Sequence, residues 1–189
     1  GRDLIKCIED SILGGVTLVQ LREKNVTSRE FYEIAIKVKE VTSKYNVPLI
    51  INDRLDIALA IDADGLHIGQ KDLPASVARK ILGKDKILGV SAATLQEALK
   101  AEKDGADYLG VGAVFSTSTK KDTRDVSYET LSNITASVNI PVVAIGGINE
   151  SNVTKLKGSN IDGIAVVSCI LGKENVKVAA EKMLDRFKE

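Results

Sequence analysis

The sequence predicts an α/β fold, a (β/α)8 barrel built as one domain over residues 1–189, and two observations carry that expectation. Short runs nearly continuous in Val, Ile and Leu alternate with amphipathic stretches along the whole chain, as parallel strands covered on both faces require. A local phrase also recurs: IDADGLHIG at 61–69, DGADYLGVG at 104–112 and NIDGIAVVS at 160–168, each setting a helix-ending acid or glycine directly before an apolar run. A βα unit repeating about every 20–30 residues is too irregular for a solenoid and suits a barrel of the TIM type. An open doubly wound sheet is the rival arrangement, but consecutive units without a reversal signal favour closure.

The opening residues read as a helix, with Leu4, Ile5, Ile8 and Ile12 on one face and Gly14-Gly15 as its stop. Strands are expected at VTLVQLR (16–22), PLIIND (48–53), GLHIG (65–69), KILGVSA (86–92), DYLGVGAVF (107–115), PVVAIGG (141–147) and GIAVVSCI (163–170). Between them, SREFYEIAIKVKEVTSKY (28–45) sets Phe31, Ile34, Ala35, Val38 and Val41 at helical spacing. Thr27 or Ser28 is its cap, and the turn before Pro48 ends it. RLDIALAI (54–61) reads as a brief helix and TLQEALKAEKDG (94–105) as a longer one. The count is seven strands rather than eight. Either the eighth precedes the opening helix, in a first segment missing from the given chain, or the barrel is open at one seam; an unpaired edge strand is adhesive, which favours the missing segment.

Composition narrows the function. Lys plus Arg and Asp plus Glu number 26 each, so no overall basic field argues for nucleic acid. No apolar run approaches the ~20 residues that span a bilayer, and GRDLIKCIED lacks the form of a secretory signal. Cys7 and Cys169 are too few and too far apart for a disulfide framework or a zinc site, and are expected to be reduced. The single histidine, His67, argues against histidine-based metal binding and a Ser-His-Asp triad. The expectation is a compact cytoplasmic protein that acts on small molecules, with no membrane partner and an oligomeric state the sequence leaves open.

A barrel places its chemistry at the C-terminal ends of its strands, so polar residues there are the candidates. QLREK offers Gln20, Arg22 and Lys24 at alternating positions, which share a face in an extended chain. Two cations and an amide suit an anionic ligand, a charged strand end in water being the plain alternative. Asn52, Asp53 and Arg54 close the next strand, and Gln70, Lys71 and Asp72 follow the third. Asp53 and Asp72 together fit a Mg2+ ion that keeps its waters and binds substrate phosphates; Asp72, just before Leu73-Pro74, fits a helix start equally well. His67 reads as a packed or hydrogen-bonded histidine rather than a catalyst. Ser91 lacks a neighbouring base and a nucleophile elbow, which leaves a hydroxyl donor to a ligand or a turn residue.

Gly146-Gly147 let backbone N–H groups approach an oxyanion closely, and the helical segment after Val167-Ser168 presents an N-terminus that favours anions. Strand exits at this point of a barrel are a recurrent phosphate site. STSTKKDTRD (116–125) follows DYLGVGAVF. Its Thr117, Thr119 and Lys120 offer donors to phosphate oxygens, and its polarity fits either a lid that orders over a charged ligand or a solvated connection.

QLREK, IINDR, GLHIGQKDLP, GVSA, DYLGVGAVFSTSTKKD, PVVAIGGI and GIAVVSCI, in this order, resemble the thiamine-phosphate synthase family over nearly the whole chain. The resemblance implies a (β/α)8 barrel and a Mg2+-dependent transferase. Its substrates would be 4-amino-2-methyl-5-hydroxymethylpyrimidine diphosphate and 4-methyl-5-(2-phosphoethyl)thiazole, its products thiamine phosphate and diphosphate. By position it assigns Gln20, Arg22, Lys24 and Asn52 to the pyrimidine diphosphate and Asp53 with Asp72 to Mg2+. Ser91, Thr117, Thr119 and Lys120 become further ligand contacts, and Gly147, Val167 and Ser168 the thiazole phosphate site. Arg22, Lys24, Lys120 and Ser91 would be catalytic, in a dissociative reaction that needs little acid–base work. The rivals are a thiazole tautomerase-like barrel, which the intact charged motifs oppose, and a phosphate-ligand-binding barrel without turnover. A sugar-phosphate isomerase is a further rival, with Asp53 as base and the lysines unexplained.

Overall fold

The computed structural model describes residues 3–116 and 124–189. Among them the chain alternates helix and strand: α1 (Leu4–Leu13), β1 (Val19–Leu21), α2 (Ser28–Lys44), β2 (Leu49–Asn52), α3 (Leu55–Ala60), β3 (Gly65–Ile68), α4 (Ala75–Leu82) and β4 (Ile87–Ala92). It continues through α5 (Leu95–Lys103), β5 (Tyr108–Val111), α6 (Tyr128–Ser137), β6 (Val142–Ile145), a 3-10 turn (Val153–Leu156), β7 (Gly163–Ala165), α7 (Ser168–Leu171) and α8 (Val176–Lys188). The seven strands are parallel and pair in sequence order.

The sheet is curled like part of a barrel wall. In a flat sheet β1 and β5 would lie about 19 Å apart, at ~4.8 Å per strand. Here the Gln20 side chain of β1 comes near enough to the Tyr108 hydroxyl of β5 to act on its charge, so the sheet bends until its inner face approaches itself. The outer face packs on the helices through Leu21, Ile51, Leu66, Ile68, Leu88, Val90, Leu109 and Val111. Ile50 is fully buried yet stands outside that apolar cluster, because it points to the inside of the curl. α1 packs against α2 and α8.

The recurring phrase has a structural purpose. Asp64, Asp107 and Asp162 each stand just before or at the approach to a strand and bond the preceding strand's start in both directions. Their carboxylates accept from the amides of Leu49, Leu88 and Val142, each at 2.8 Å. Their own amides donate to the carbonyls of the same three residues, at 3.0, 2.7 and 2.8 Å. What reads in sequence as a helix-ending acid is a lock on strand register.

Three strands are shorter than the apolar runs suggest. VTLVQLR pairs only over Val19–Leu21, so Arg22 and Lys24 lie beyond the strand. DYLGVGAVF leaves its ladder after Val111, and the amides of Val114 and Phe115 then bond the carbonyls of Ile145 and Gly146 at 3.0 and 3.1 Å. GIAVVSCI ends as a strand at Ala165 and turns into α7. A ladder stops where its neighbour stops, which an apolar run does not record. Thr27, rather than Ser28, caps α2: its hydroxyl accepts from Glu30 N at 3.3 Å while the Glu30 carboxylate accepts from Thr27 N at 2.7 Å. Among the described residues no helix is long and apolar enough to cross a membrane.

Thr27→Ala removes one side of that capping box and leaves the sheet untouched. The expected cost is about 1 kcal/mol, read as a lower urea midpoint with an unchanged slope.

Candidate functional site

The polar strand exits gather into two groups. The first lies at the ends of β1, β2 and β3. Lys24 reaches the Asp53 carboxylate directly, and Asp72 lies within hydrogen-bonding reach of the same carboxylate. Asp72 does not cap a helix: the N-cap of α4 is Pro74, and the Asp72 carboxylate accepts instead from Gly69 N at 2.7 Å. Burial, and then the neighbouring Asp53 carboxylate, pushes the Asp72 carboxyl above its ordinary range, against the Gly69 amide and Lys24. Two carboxylates so placed favour a proton or a cation between them. A hard divalent ion fits, with water and phosphate oxygens completing its shell; among the described residues no cluster of three or more His, Cys, Asp or Glu offers a closed metal cage.

Asp53 is held in an unusual conformation. Its φ is 64°, a left-handed value for a non-glycine residue, and Arg54 N donates to Asn52 O at 2.8 Å across it, closing a three-residue turn. Its amide donates to His67 O at 2.8 Å. Arg54 is drawn away from the site: its guanidinium donates to the Asp56 carboxylate at 2.6 and 2.8 Å and to Ser28 Oγ at 2.8 Å. Arg22 is exposed just past β1.

Register brings further candidates together inside the curl. Asn52, His67, Gly89 and Tyr108 form one row across β2 to β5, and Ser91, Gly110, Val143 and Gly163 form a row across β4 to β7. His67 Nδ1 is 2.8 Å from Tyr108 Oη and His67 Nε2 is 2.8 Å from Ser91 Oγ. The sequence reading of His67 as a hydrogen-bonded core residue holds. Tyr108 is absent from the sequence candidates because it opens a strand as any core aromatic does. The available sign is the pair of strand-interior glycines beside it. A methyl at Gly89 would collide with the Tyr108 ring, and one at Gly110 would sit 3.0 Å from His67 Cε1.

The second group lies at the exits of β6 and β7. Ile145 pairs with Ala165, so Gly147 and Val167, each two residues further on, leave neighbouring strands side by side. Gly147 has φ 65°, and a side chain there would strike the Ser116 carbonyl. Its own carbonyl accepts from Asn152 Nδ2 at 2.9 Å. Val167 is half-exposed and Ser168 begins α7.

Thr117, Thr119 and Lys120 lie outside the described residues. Arg124 Nη2 donates to both Glu97 carboxylate oxygens at 2.6 and 2.7 Å. Although burial opposes its charge, Arg124 and the Ala93 amide hold the Glu97 carboxyl below its usual range. Neither Glu97 nor Arg124 stands out in the sequence, where each reads as a solvated charge.

A curled parallel α/β sheet that gathers cations and paired acids at its strand exits is the architecture of a barrel-type protein. The comparisons with known proteins make this specific. The family model described as thiamine monophosphate synthase matches residues 1–170. The thiamine-phosphate synthase of Clostridium tetani is 68% identical over 189 residues, covering 100% of this chain and 90% of its own length. That of Methanobrevibacter smithii is 57% identical over 184 residues, covering 97% and 88%. The solved thiamine phosphate pyrophosphorylase of Pyrococcus furiosus superposes with a TM-score of 0.91 at 42% identity, covering 99% of this chain and 90% of that one. The chain belongs to the thiamine monophosphate synthase family.

The left-handed turn at Asp53 separates two substitutions of the same carboxylate. Asn tolerates that conformation and Ala does not, at a difference of about 1 kcal/mol, so Asp53→Asn should unfold at higher urea than Asp53→Ala. Equal midpoints would mean that the turn relaxes.

Proposed function

We propose that the residues gathered at the strand exits carry the family reaction. In it the pyrimidine diphosphate and the thiazole phosphate combine to thiamine phosphate, with release of diphosphate. The chain is an enzyme of thiamine biosynthesis, a transferase. The observation that supports this assignment of residues best is the contact of Lys24 with Asp53 beside Asp72. It sets a cation and a cation-accepting acid pair where an anionic leaving group needs both.

The bond from the pyrimidine methylene carbon to the diphosphate oxygen breaks with its electron pair leaving on diphosphate, and the thiazole nitrogen then attacks the carbon. Charge develops on the leaving group, so fixed cations aimed at it contribute most. Arg22, Lys24 and Lys120 take that role, and Ser91 donates a hydrogen bond. Gln20 and Asn52 orient the pyrimidine. Asp53 and Asp72 hold Mg2+, which supplies charge neutralisation to the diphosphate when bound. Thr117 and Thr119 add donors to the ligand phosphates. Gly147, Val167 and Ser168 hold the thiazole phosphate beside the reacting carbon, which makes the encounter effectively intramolecular. No step requires a histidine base or a covalent nucleophile.

The finer architecture follows the same reading. β1 and β7 are the edges of the described sheet, and β7 is only partly buried along its length. A closed (β/α)8 form, with one further strand between these edges in a single domain, fits that exposure. A cytoplasmic location and small-molecule partners fit the chemistry.

Incubation of the chain with both substrates and Mg2+ should yield thiamine phosphate and diphosphate in equal amounts, with chelation abolishing both. Absence of product while the ligands still raise thermal stability would assign a binding protein instead. Arg22→Ala and Lys120→Ala should each lower turnover at least tenfold, the loss of a charge-assisted contact to a developing anion. Parent rates in both would remove the leaving-group role. Asp53→Asn should lose the Mg2+-dependent stabilisation by inorganic diphosphate; parent-like stabilisation would remove Asp53 from the metal site.

A further inference from the structure

Three side chains from three strands form one continuous hydrogen-bonded chain inside the curl. The Gln20 amide of β1 lies near the Tyr108 hydroxyl of β5. Tyr108 Oη meets His67 Nδ1 of β3, and His67 Nε2 meets Ser91 Oγ of β4, both at 2.8 Å. His67 is 7% exposed, so water does not compete for its ring nitrogens freely. The two rings face each other at 5.5 Å between centroids and 41° between planes, in space that Gly89 and Gly110 leave open. The Ser91 backbone is fixed as well, because Gln70 Nε2 donates to its carbonyl at 2.7 Å.

Such a chain has two polarities, and only one serves an anion. A phenol has one proton to give, a neutral imidazole one, a hydroxyl one. If Tyr108 gives its proton to Nδ1, the imidazole proton sits on Nε2 and goes to Ser91 Oγ. The Ser91 proton is then left to point out of the chain, toward a ligand. In the reverse polarity Ser91 spends its proton on Nε2 and turns lone pairs toward the ligand, which a phosphate oxygen repels. Gln20 suits either sense, since its amide both donates and accepts. Burial pushes the Tyr108 phenol well above its ordinary range, which keeps it a donor at neutral pH.

We propose that Tyr108 and His67 are positioning residues: they keep the imidazole in its Nε2–H form and thereby hold the Ser91 hydroxyl as a proton donor to the phosphate-bearing substrate. The inference rests on the reading of Ser91 as a ligand contact given above. It accounts for three features that reading leaves aside: the buried histidine, the buried phenol and the glycines cleared around them.

The chain has a single histidine, so 15N imidazole spectra report its tautomer without ambiguity. With inorganic diphosphate and Mg2+ at neutral pH, the parent should show Nε2–H, and Tyr108→Phe should populate Nδ1–H. An Nδ1–H tautomer in the parent under these conditions overturns the proposal. In steady-state assays, Ser91→Ala and His67→Leu should each lower kcat about tenfold or more. The double variant should lose no more than either single one, and His67→Gln, which keeps an amide donor near the Nε2 position, should recover most of the rate. Parent rates in His67→Leu beside an impaired Ser91→Ala overturn the positioning role and leave the Ser91 assignment standing. Parent rates in Ser91→Ala overturn that assignment, and the inference with it.

Discussion

The two-way bond between an aspartate and the start of the strand before it is the constraint on which the remaining structure depends. Side chains alternate along a strand with a period of two, so a slip of one residue would exchange the inner and outer faces of every strand beyond it. Asp64, Asp107 and Asp162 prevent that slip at three of the six junctions, each pairing its carboxylate and amide with a single residue of the neighbouring strand. With register set, the apolar residues of one face meet the helices and the polar residues of the other converge inside the curl. The locks sit at the N-terminal ends of the strands and the proposed site at the C-terminal ends. Stability and function therefore occupy opposite rims.

The functional rim is built at a cost. Asp53 adopts a backbone conformation that most residues avoid, and Asp72 sits partly buried beside a like charge. Each feature opposes folding modestly in the free chain. Lys24 contacts Asp53 and lies near Asp72, so its positive charge offsets part of the repulsion between the acids. Destabilised geometry of this kind is common where proteins bind charge.

Much of this was legible in the sequence, and what was not has definite causes. Seven strands and the helices α1, α2, α3 and α5 follow from apolar runs and helical spacing, whereas α4, α6 and α8 go unread; Arg22, Lys24, Asp53 and Asp72 lie at or just past strand ends. Asp53, Asp72 and Lys24 meet although they are far apart in the chain, because barrel topology predicts where strand ends go. Strand lengths were not legible, since VTLVQLR and GIAVVSCI carry no mark of where their neighbours stop. The recurring aspartates were visible as a repeat, yet their bond to a different strand is a tertiary fact. Tyr108 gave no signal of its own: only the curl brings it to His67 and Gln20. Glu97 and Arg124 look like surface charges until the fold sets them face to face.

The seam between the chain leaving β5 and the chain leaving β6 bears on how such a molecule can vary over time. Val114 and Phe115 donate to the backbone at the end of β6, and Gly146 and Gly147 lie so close beneath that no side chain fits. An added residue on either side would shift one row of bonds against the other and drive a Cβ into a carbonyl. By contrast, Gly83, in the turn before β4, has open space around it. Inherited change in loop length has room at that turn and almost none at the seam, so diversification of this scaffold is channelled to the rim away from the ligands.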